Sequence, residues 1–162
     1  MKYRVIYVVL IPLLVSACAA NDGECRKEKI VTVGVSNYKT VYNSTSEEFV
    51  SSALTERFTI YGLDEDSLLY DTKSLSSYEL PLHTLQNRSS FVLQRDTLGA
   101  DTLTIIHQNN PQFISLECGC FVYYTIQDVV YTVHQIDSVV ITNTYVQNVA
   151  ENHLKIYYRV TP

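Results

Sequence analysis

The side chains of this chain that could do metal, redox or nucleophilic chemistry include four histidines and four cysteines. No two histidines have the spacing of metal ligands on one helix, so we expect each of them on the surface or on an edge strand. The chain has no Gly-x-Ser-x-Gly elbow, phosphate loop or dinucleotide-binding glycine motif. The sequence therefore predicts no catalytic residue, no metal and no cofactor. The histidines are His83, His107, His134 and His153.

One acidic run could have a metal-binding role. Asp64-Glu65-Asp66 starts like a calcium-binding loop, but Leu75 stands at the twelfth position, where a bidentate glutamate is needed. An acidic turn between two strands is the favoured interpretation, and an irregular calcium site stays open.

Cys18 follows a cationic start, an apolar run from Val5 to Val15 and two small residues. The run has about eleven residues, whereas a membrane-spanning helix needs about 20. This order is typical of a leader that is cleaved before a cysteine, which is then acylated; a plain secretory signal is the alternative. Acyl chains contribute roughly 0.8 kcal/mol per buried methylene, so two or three chains would hold a domain at a bilayer. We expect residues 1–17 to be a lipoprotein signal peptide, Cys18 to be lipidated, and residues 18–29 to form a tether.

The other three cysteines could form a disulfide if the protein is exported to an oxidising compartment. A bridge between Cys25 and Cys118 is favoured, with Cys120 left as a buried thiol. It would close a loop of about 93 residues and contribute roughly 4 to 5 kcal/mol. A ring between Cys118 and Cys120 would be strained, and a zinc site lacks a second matching pair of ligands.

A three-residue pattern, Asp followed by Ser or Thr and then an aliphatic residue, occurs four times. It resembles the O-glycosylation sequon of exported bacteroidete proteins. The same residues are also ordinary turn chemistry at the start of a strand, so both interpretations stay open. The candidate glycan acceptors are Ser67, Thr97, Thr102 and Ser138.

Length and charge restrict the class of protein. Removing the leader would leave about 145 residues, enough for one domain with a hydrophobic core. Lys2 and Arg4 leave with the leader, so the formal charge of −5 becomes about −7. Without a clustered basic patch, an acidic domain disfavours nucleic acid.

Beyond the tether, short runs of Val, Ile, Tyr, Thr and Phe are separated by turn residues, as is typical of strands. In the last run, apolar residues from Leu154 to Val160 alternate with more polar ones from His153 to Arg159. The helical signal is weak and is best at residues 46–54. The sequence predicts an all-β fold, a single antiparallel β-sandwich, immunoglobulin-like or related, over residues 30–162. The predicted strands are 29–42, 54–61, 67–71, 89–95, 102–107, 112–116, 120–127, 129–134, 138–147 and 153–161.

Several short motifs together resemble a bacterial family. They are the leader ending at Cys18, Cys25-Arg26, Glu117-Cys118-Gly119 and the terminal run from Asn152 to Tyr158. The chain is similar to a family of small bacteroidete lipoproteins known only as a domain of unknown function, over nearly all of the mature sequence. That resemblance implies an envelope location and adds no catalytic residue. Cys120, which follows the shared Cys-Gly, departs from the pattern.

We expect an outer-membrane lipoprotein of the cell envelope, with the periplasmic or surface face left open. Its membrane contact would be the lipid on Cys18, and its function that of a non-enzymatic binding or structural module with a protein or peptide partner. The alternative is an envelope hydrolase whose carboxylates and histidines cannot be placed. A deep pocket that gathers histidines and acids would favour the hydrolase, and a filled core with flat polar faces would favour the module.

Overall fold

A computed structural model of the protein describes residues 30–43, 45–63, 68–96, 98–116 and 119–159. These residues form an all-β fold with no helix, and therefore no helix long and apolar enough to cross a bilayer. The strands are β1 (Thr32–Asn43), β2 (Glu48–Ala53), β3 (Glu56–Gly62), β4 (Leu68–Leu75), β5 (Ser77–Pro81), β6 (Arg88–Arg95), β7 (Gly99–Ser115), β8 (Gly119–Tyr131), β9 (Ile136–Ile141), β10 (Tyr145–Val146) and β11 (Asn152–Tyr158).

The strands form two sheets in a sandwich-like arrangement. The first sheet has the order β2-β1-β11-β9, and β5 also pairs with β1; the second has the order β10-β8-β7-β6-β3-β4. Aromatic side chains of the two sheets meet: the ring of Phe58 lies 5.5 Å from that of Tyr158 and 6.2 Å from that of Tyr78. One hydrophobic core therefore lies between the sheets. Its fully buried members include Val33, Val35, Phe58, Ile60, Leu80, Leu103, Ile105, Ile136, Leu154 and Ile156.

The expectation of a purely antiparallel sandwich is wrong at one strand pair. β1 and β11 pair in parallel, from Gly34 opposite Asn152 to Lys39 opposite Tyr158. A parallel pair needs a long crossover, and here the crossover is the whole intervening chain, which passes through the other sheet. The two backbones approach closely, because a Cβ on Gly34 would lie 2.0 Å from the carbonyl oxygen of Glu151. Glycine is required there.

The weak helical signal at residues 46–54 does not lead to a helix, because β2 occupies Glu48–Ala53 and pairs with β1. β5 was not predicted. The separate predicted strands 102–107 and 112–116 are one strand, β7, and 120–127 and 129–134 are mostly one strand, β8. β7 tolerates Pro111 because β6 stops opposite Ile106, which leaves β7 with β8 as its paired neighbour there.

The two ends of the sandwich differ. At one end β1 and β11 begin and β7 turns into β8; we call this the hairpin end. At the opposite end, the guanidinium of Arg95 is buried; its Nε donates to Glu56 at 2.9 Å and it lies 4.9 Å from the centre of the Tyr158 ring. Arg95 thereby joins β6 of one sheet to β11 of the other.

Candidate functional site

Three polar side chains form a row at the base of the hairpin end. Ser89 lies on β6, and His107 and Asn109 lie on β7. The Ser89 Oγ lies 3.0 Å from Nε2 of His107, and the His107 Nδ1 lies 2.8 Å from Oδ1 of Asn109. Ser89 and His107 are both buried, and the His107 ring packs edge-on against Tyr124 at 5.2 Å between ring centres.

The hydrogen bonds of Asn109 fix the direction of this row. Its Nδ2 donates to the carbonyl oxygens of Thr84 at 2.8 Å, Gln86 at 3.0 Å and His83 at 3.3 Å. The Oδ1 of Asn109 must then accept, so His107 carries its proton on Nδ1. Nε2 of His107 accepts from the Ser89 hydroxyl, and the Ser89 Oγ in turn accepts from the backbone N–H of His83 at 2.8 Å.

This order of hydroxyl, imidazole and orienting group is the one used for nucleophilic catalysis. Burial lowers the pKa of His107, against the raising effect of the Asn109 hydrogen bond, so the ring is neutral and could accept a proton. A pocket of about 120 Å³ lies beside Ser89 and is also lined by Leu82 and His83. The row therefore has part of the geometry of a hydrolase.

Two features of the row favour a structural role. An imidazolium at His107 would be fully buried against an amide, with no carboxylate in the row to balance its charge. The His83 N–H points at the Ser89 hydroxyl itself rather than at the position of a substrate oxyanion. Asn109 meanwhile holds three carbonyl groups of the segment between β5 and β6. The row thus fastens that segment to β7.

The other histidines lie apart from this row, except for His83, which is half-buried in the same segment. His153 is buried on β11, where its Nδ1 accepts from the Gly34 N–H at 3.0 Å. Burial lowers the pKa of His153, although Glu151 and nearby backbone groups oppose the effect. The expectation that all four histidines lie on the surface or an edge is therefore wrong for His107 and His153.

His134 is exposed at the opposite end of the sandwich, beside the buried carboxylate of Asp101. Asp101 accepts from the Thr132 hydroxyl at 2.6 Å and from the backbone N–H groups of His134, Gln135 and Ile136 at 2.7 to 2.9 Å. Burial alone would raise the pKa of Asp101, but these hydrogen bonds outweigh it and lower the pKa. Asp101 therefore fixes the β8–β9 turn.

One aromatic cluster lies on the outer face of the first sheet. Tyr38 on β1 and Tyr157 on β11 are paired in register, half-buried, with ring centres 5.6 Å apart. The Lys155 ammonium lies 5.5 Å from the Tyr38 ring. Two neighbouring tyrosine rings, tilted by 31° to each other, and a cation form a surface that is both apolar and hydrogen-bonding, which suits contact with a peptide or protein.

The cysteines and sequons are only partly covered. Cys18, Cys25 and Cys118, with the acceptors Ser67 and Thr97 and the acidic run 64–66, lie outside the described residues. Cys120, expected as a buried thiol, is exposed and free. Thr102 is half-buried on the inner strand β7 and follows the fully engaged Asp101, whereas Ser138 is half-buried on the edge strand β9. The O-glycosylation sites stay predictions, and Ser138 is the better placed of the two.

Motif reasoning missed the Ser89 row and the role of Asp101. A signal for both existed in β7, where Asp101, Leu103, Ile105 and His107 alternate with less buried residues. The alternation of Leu103 and Ile105 extends in both directions to polar residues that face the core. No group of three histidine, cysteine, aspartate or glutamate side chains in the described ranges is arranged to hold a metal ion.

The fold and site define an all-β protein of two sheets whose buried polar groups fasten its loops. The chain belongs to the family of unknown function DUF6452, whose model matches residues 57–158, from β3 to β11. This confirms the expected membership in a family of unknown function, over a shorter range than expected. No curated protein and no solved structure matches the chain.

Proposed function

We propose that the protein is a lipid-anchored component of the bacterial cell envelope, at the outer membrane, whose domain is a non-enzymatic binding module with a protein or peptide partner. The anchor is the lipid on Cys18, and residues 18–29 are the tether. Support for the anchor comes from the leader-like apolar run and the small residues before Cys18. Within this proposal the two sheets are an immunoglobulin-like sandwich, a scaffold that presents faces and loops to partners.

The observation that carries the binding function is the outer face of the first sheet. Tyr38, Tyr157 and Lys155 form a half-exposed cluster, while the buried His107, His153 and Asp101 are engaged in hydrogen bonds that hold loops and strands. These hydrogen bonds favour a structural role for the three buried groups. Tyrosine is enriched at the centres of protein interfaces, so the partner surface is assigned to this cluster.

The test is crosslinking in intact cells followed by purification of the tagged protein. We expect one stoichiometric partner with the wild type and its loss with a double variant, Tyr38→Ser and Tyr157→Ser. Tyr61→Ser, on the outward-facing side of β3 in the other sheet, is the matched control and should keep the partner. A partner retained equally by the double variant would disprove the assignment of this face.

The proposal also includes a disulfide between Cys25 and Cys118. The start of β1, seven residues after Cys25, and the turn between β7 and β8 belong to the same end of the sandwich. Seven residues reach about 24 Å at full extension, which supports a bridge between these segments. Mass mapping without reduction should find this pairing, and a free Cys25 in the exported protein would remove it.

A hydrolase is the second candidate function, and the Ser89–His107–Asn109 row is the observation that favours it. The test is hydrolysis of small p-nitrophenyl esters by the purified protein. Turnover that disappears in Ser89→Ala, with the fold intact by circular dichroism, would replace the binding module by an enzyme. Equal background rates for the wild type and Ser89→Ala would leave the row as a structural clamp.

A further inference from the structure

The most exposed large apolar side chains of the described chain gather at the hairpin end. Ranked by exposed fraction, the first five are Leu116 (95 %), Leu85 (89 %), Ile30 (65 %), Phe113 (64 %) and Val149 (56 %). Each lies in or beside a segment of the hairpin end: the β7–β8 turn, the β5–β6 segment, the entry to β1, and the segment between β10 and β11. Single exposed apolar residues are ordinary, but this concentration at one end is not.

The β7–β8 hairpin extends beyond the rest of its sheet at this end. Pairing with β6 stops at Ile106, and pairing with β10 stops at Tyr124. From Pro111 to Ser115, β7 pairs with β8 alone, over a length of about 17 Å. Phe113 and Ile114 are both exposed, and the register of the β7–β8 pairing shifts between Phe113 and Ser115. We call the exposed residues Phe113, Ile114 and Leu116 the hairpin tip.

The sequence around the hairpin tip is almost free of charge. Glu117 is the only Asp, Glu, Lys or Arg residue between His107 and Asp128. A charged loop would resist transfer out of water, whereas amide, hydroxyl and apolar side chains enter a membrane interface at small cost.

The chain that would carry the anchor enters the domain at this same end. Ile30 precedes β1, and Cys18 lies twelve residues earlier, a distance of at most about 40 Å. A bilayer that holds Cys18 is therefore within reach of the hairpin tip.

We infer that the hairpin tip inserts into the interface of the bilayer to which the protein is anchored, with Phe113, Ile114 and Leu116 among the acyl chains. This inference rests on the proposed lipid anchor. The tip adds a second membrane contact to the acyl chains and orients the sandwich with its hairpin end toward the lipid. The opposite end then points away from the membrane, and the outer face of the first sheet stands roughly perpendicular to the bilayer, open to partners from the side.

The absence of tryptophan from the chain allows a direct test. The lipidated protein is reconstituted into vesicles of phosphatidylethanolamine and phosphatidylglycerol, with and without brominated acyl chains, as Leu116→Trp or as Val133→Trp. Val133 is 54 % exposed at the opposite end and is the matched control. We expect the emission of Leu116→Trp to shift to shorter wavelength in vesicles and to be quenched by the brominated lipid, and that of Val133→Trp to be unchanged.

Flotation of the wild type and of Cys18→Ala with the same vesicles reports on the anchor separately. Flotation of the wild type without quenching at position 116 would overturn the inserted tip and leave the anchor standing. Flotation of neither protein would overturn both. If Cys18→Ala retains residual flotation, the double substitution Phe113→Ser and Leu116→Ser should weaken it by about tenfold or more, and unchanged flotation would also overturn the tip.

Discussion

Replacement of Asp101 by alanine should destabilise the protein by about 3 to 5 kcal/mol. The carboxylate is buried and accepts from the Thr132 hydroxyl and from three consecutive backbone N–H groups, at residues 134, 135 and 136. Alanine would leave these donors in the β8–β9 turn without their acceptor. Each buried donor left unpaired costs about 1 to 3 kcal/mol, and partial entry of water would reduce the sum.

The measurement is urea unfolding of the mature domain, followed by circular dichroism. Asp101→Asn keeps the shape but turns an amide N–H₂ toward backbone donors, so we expect a smaller loss of about 2 kcal/mol. Asp137→Ala is the control, because that carboxylate is 61 % exposed and lies 3.8 Å from Arg159; its effect should stay within about 0.5 kcal/mol. A free energy of unfolding for Asp101→Ala within about 1 kcal/mol of the wild type would refute the reasoning.

The pH dependence gives an independent check. The hydrogen bonds hold the pKa of Asp101 below its ordinary value of 3.8 despite burial. A carboxyl group whose pKa is lower in the folded state stabilises that state fully above the unfolded pKa, and the contribution is lost as the pH falls toward the folded pKa. The stability difference between the wild type and Asp101→Asn should therefore be constant from neutral pH to about pH 5 and shrink below about pH 4. A difference that grows on acidification would contradict the assignment.

Three further outcomes are expected from urea unfolding. Gly34→Ala should lose more than about 3 kcal/mol or fail to fold, because its Cβ would lie 2.0 Å from the Glu151 carbonyl oxygen; a loss under about 1 kcal/mol would contradict the close approach. Asn37→Leu should be neutral or stabilising by about 1 kcal/mol, because the buried amide has no partner within the described structure; a clear loss would show that ordered water satisfies it. Burial holds the pKa of His107 below 6.5, so the neutral His107 ring stabilises the fold fully above about pH 6.5, and this contribution is lost as the pH falls. His107→Gln should therefore depend less on pH than the wild type in its free energy of unfolding between about pH 7 and 5. Equal slopes for the two proteins would contradict this.

The fold class could be predicted because strand periodicity is local. Phe58 and Ile60 face the core and alternate with Thr59 and Tyr61, as the sequence indicates. The same holds for Leu154, Ile156 and Tyr158 in β11. Pairing partners could not be predicted, because the parallel neighbour of β1 is β11, more than a hundred residues away. Local patterns carry no information about that contact.

Residues 46–54 show how a weak helical signal gives way to strand pairing. Ser46, Glu47 and Glu48 have the residue types of a helix start, but Glu47 adopts a left-handed conformation, with φ of 55°, in the turn between β1 and β2. Val50 then pairs with Val41 across the two strands. The weak local preference for a helix is outweighed by the pairing of six consecutive residues of β2 with β1. This pairing is a tertiary effect.

The polar groups that motif reasoning would choose for chemistry are the ones that this fold uses to fix its backbone. Asn109, with His107 behind it, holds the β5–β6 segment; Asp101 holds the β8–β9 turn; and His153 accepts from β1 at the close approach to Gly34. A buried group that makes such contacts cannot move toward a substrate without leaving donors unpaired. Under the two proposals, substitutions on the outer face of the first sheet and at the hairpin tip should therefore alter binding while leaving stability nearly unchanged.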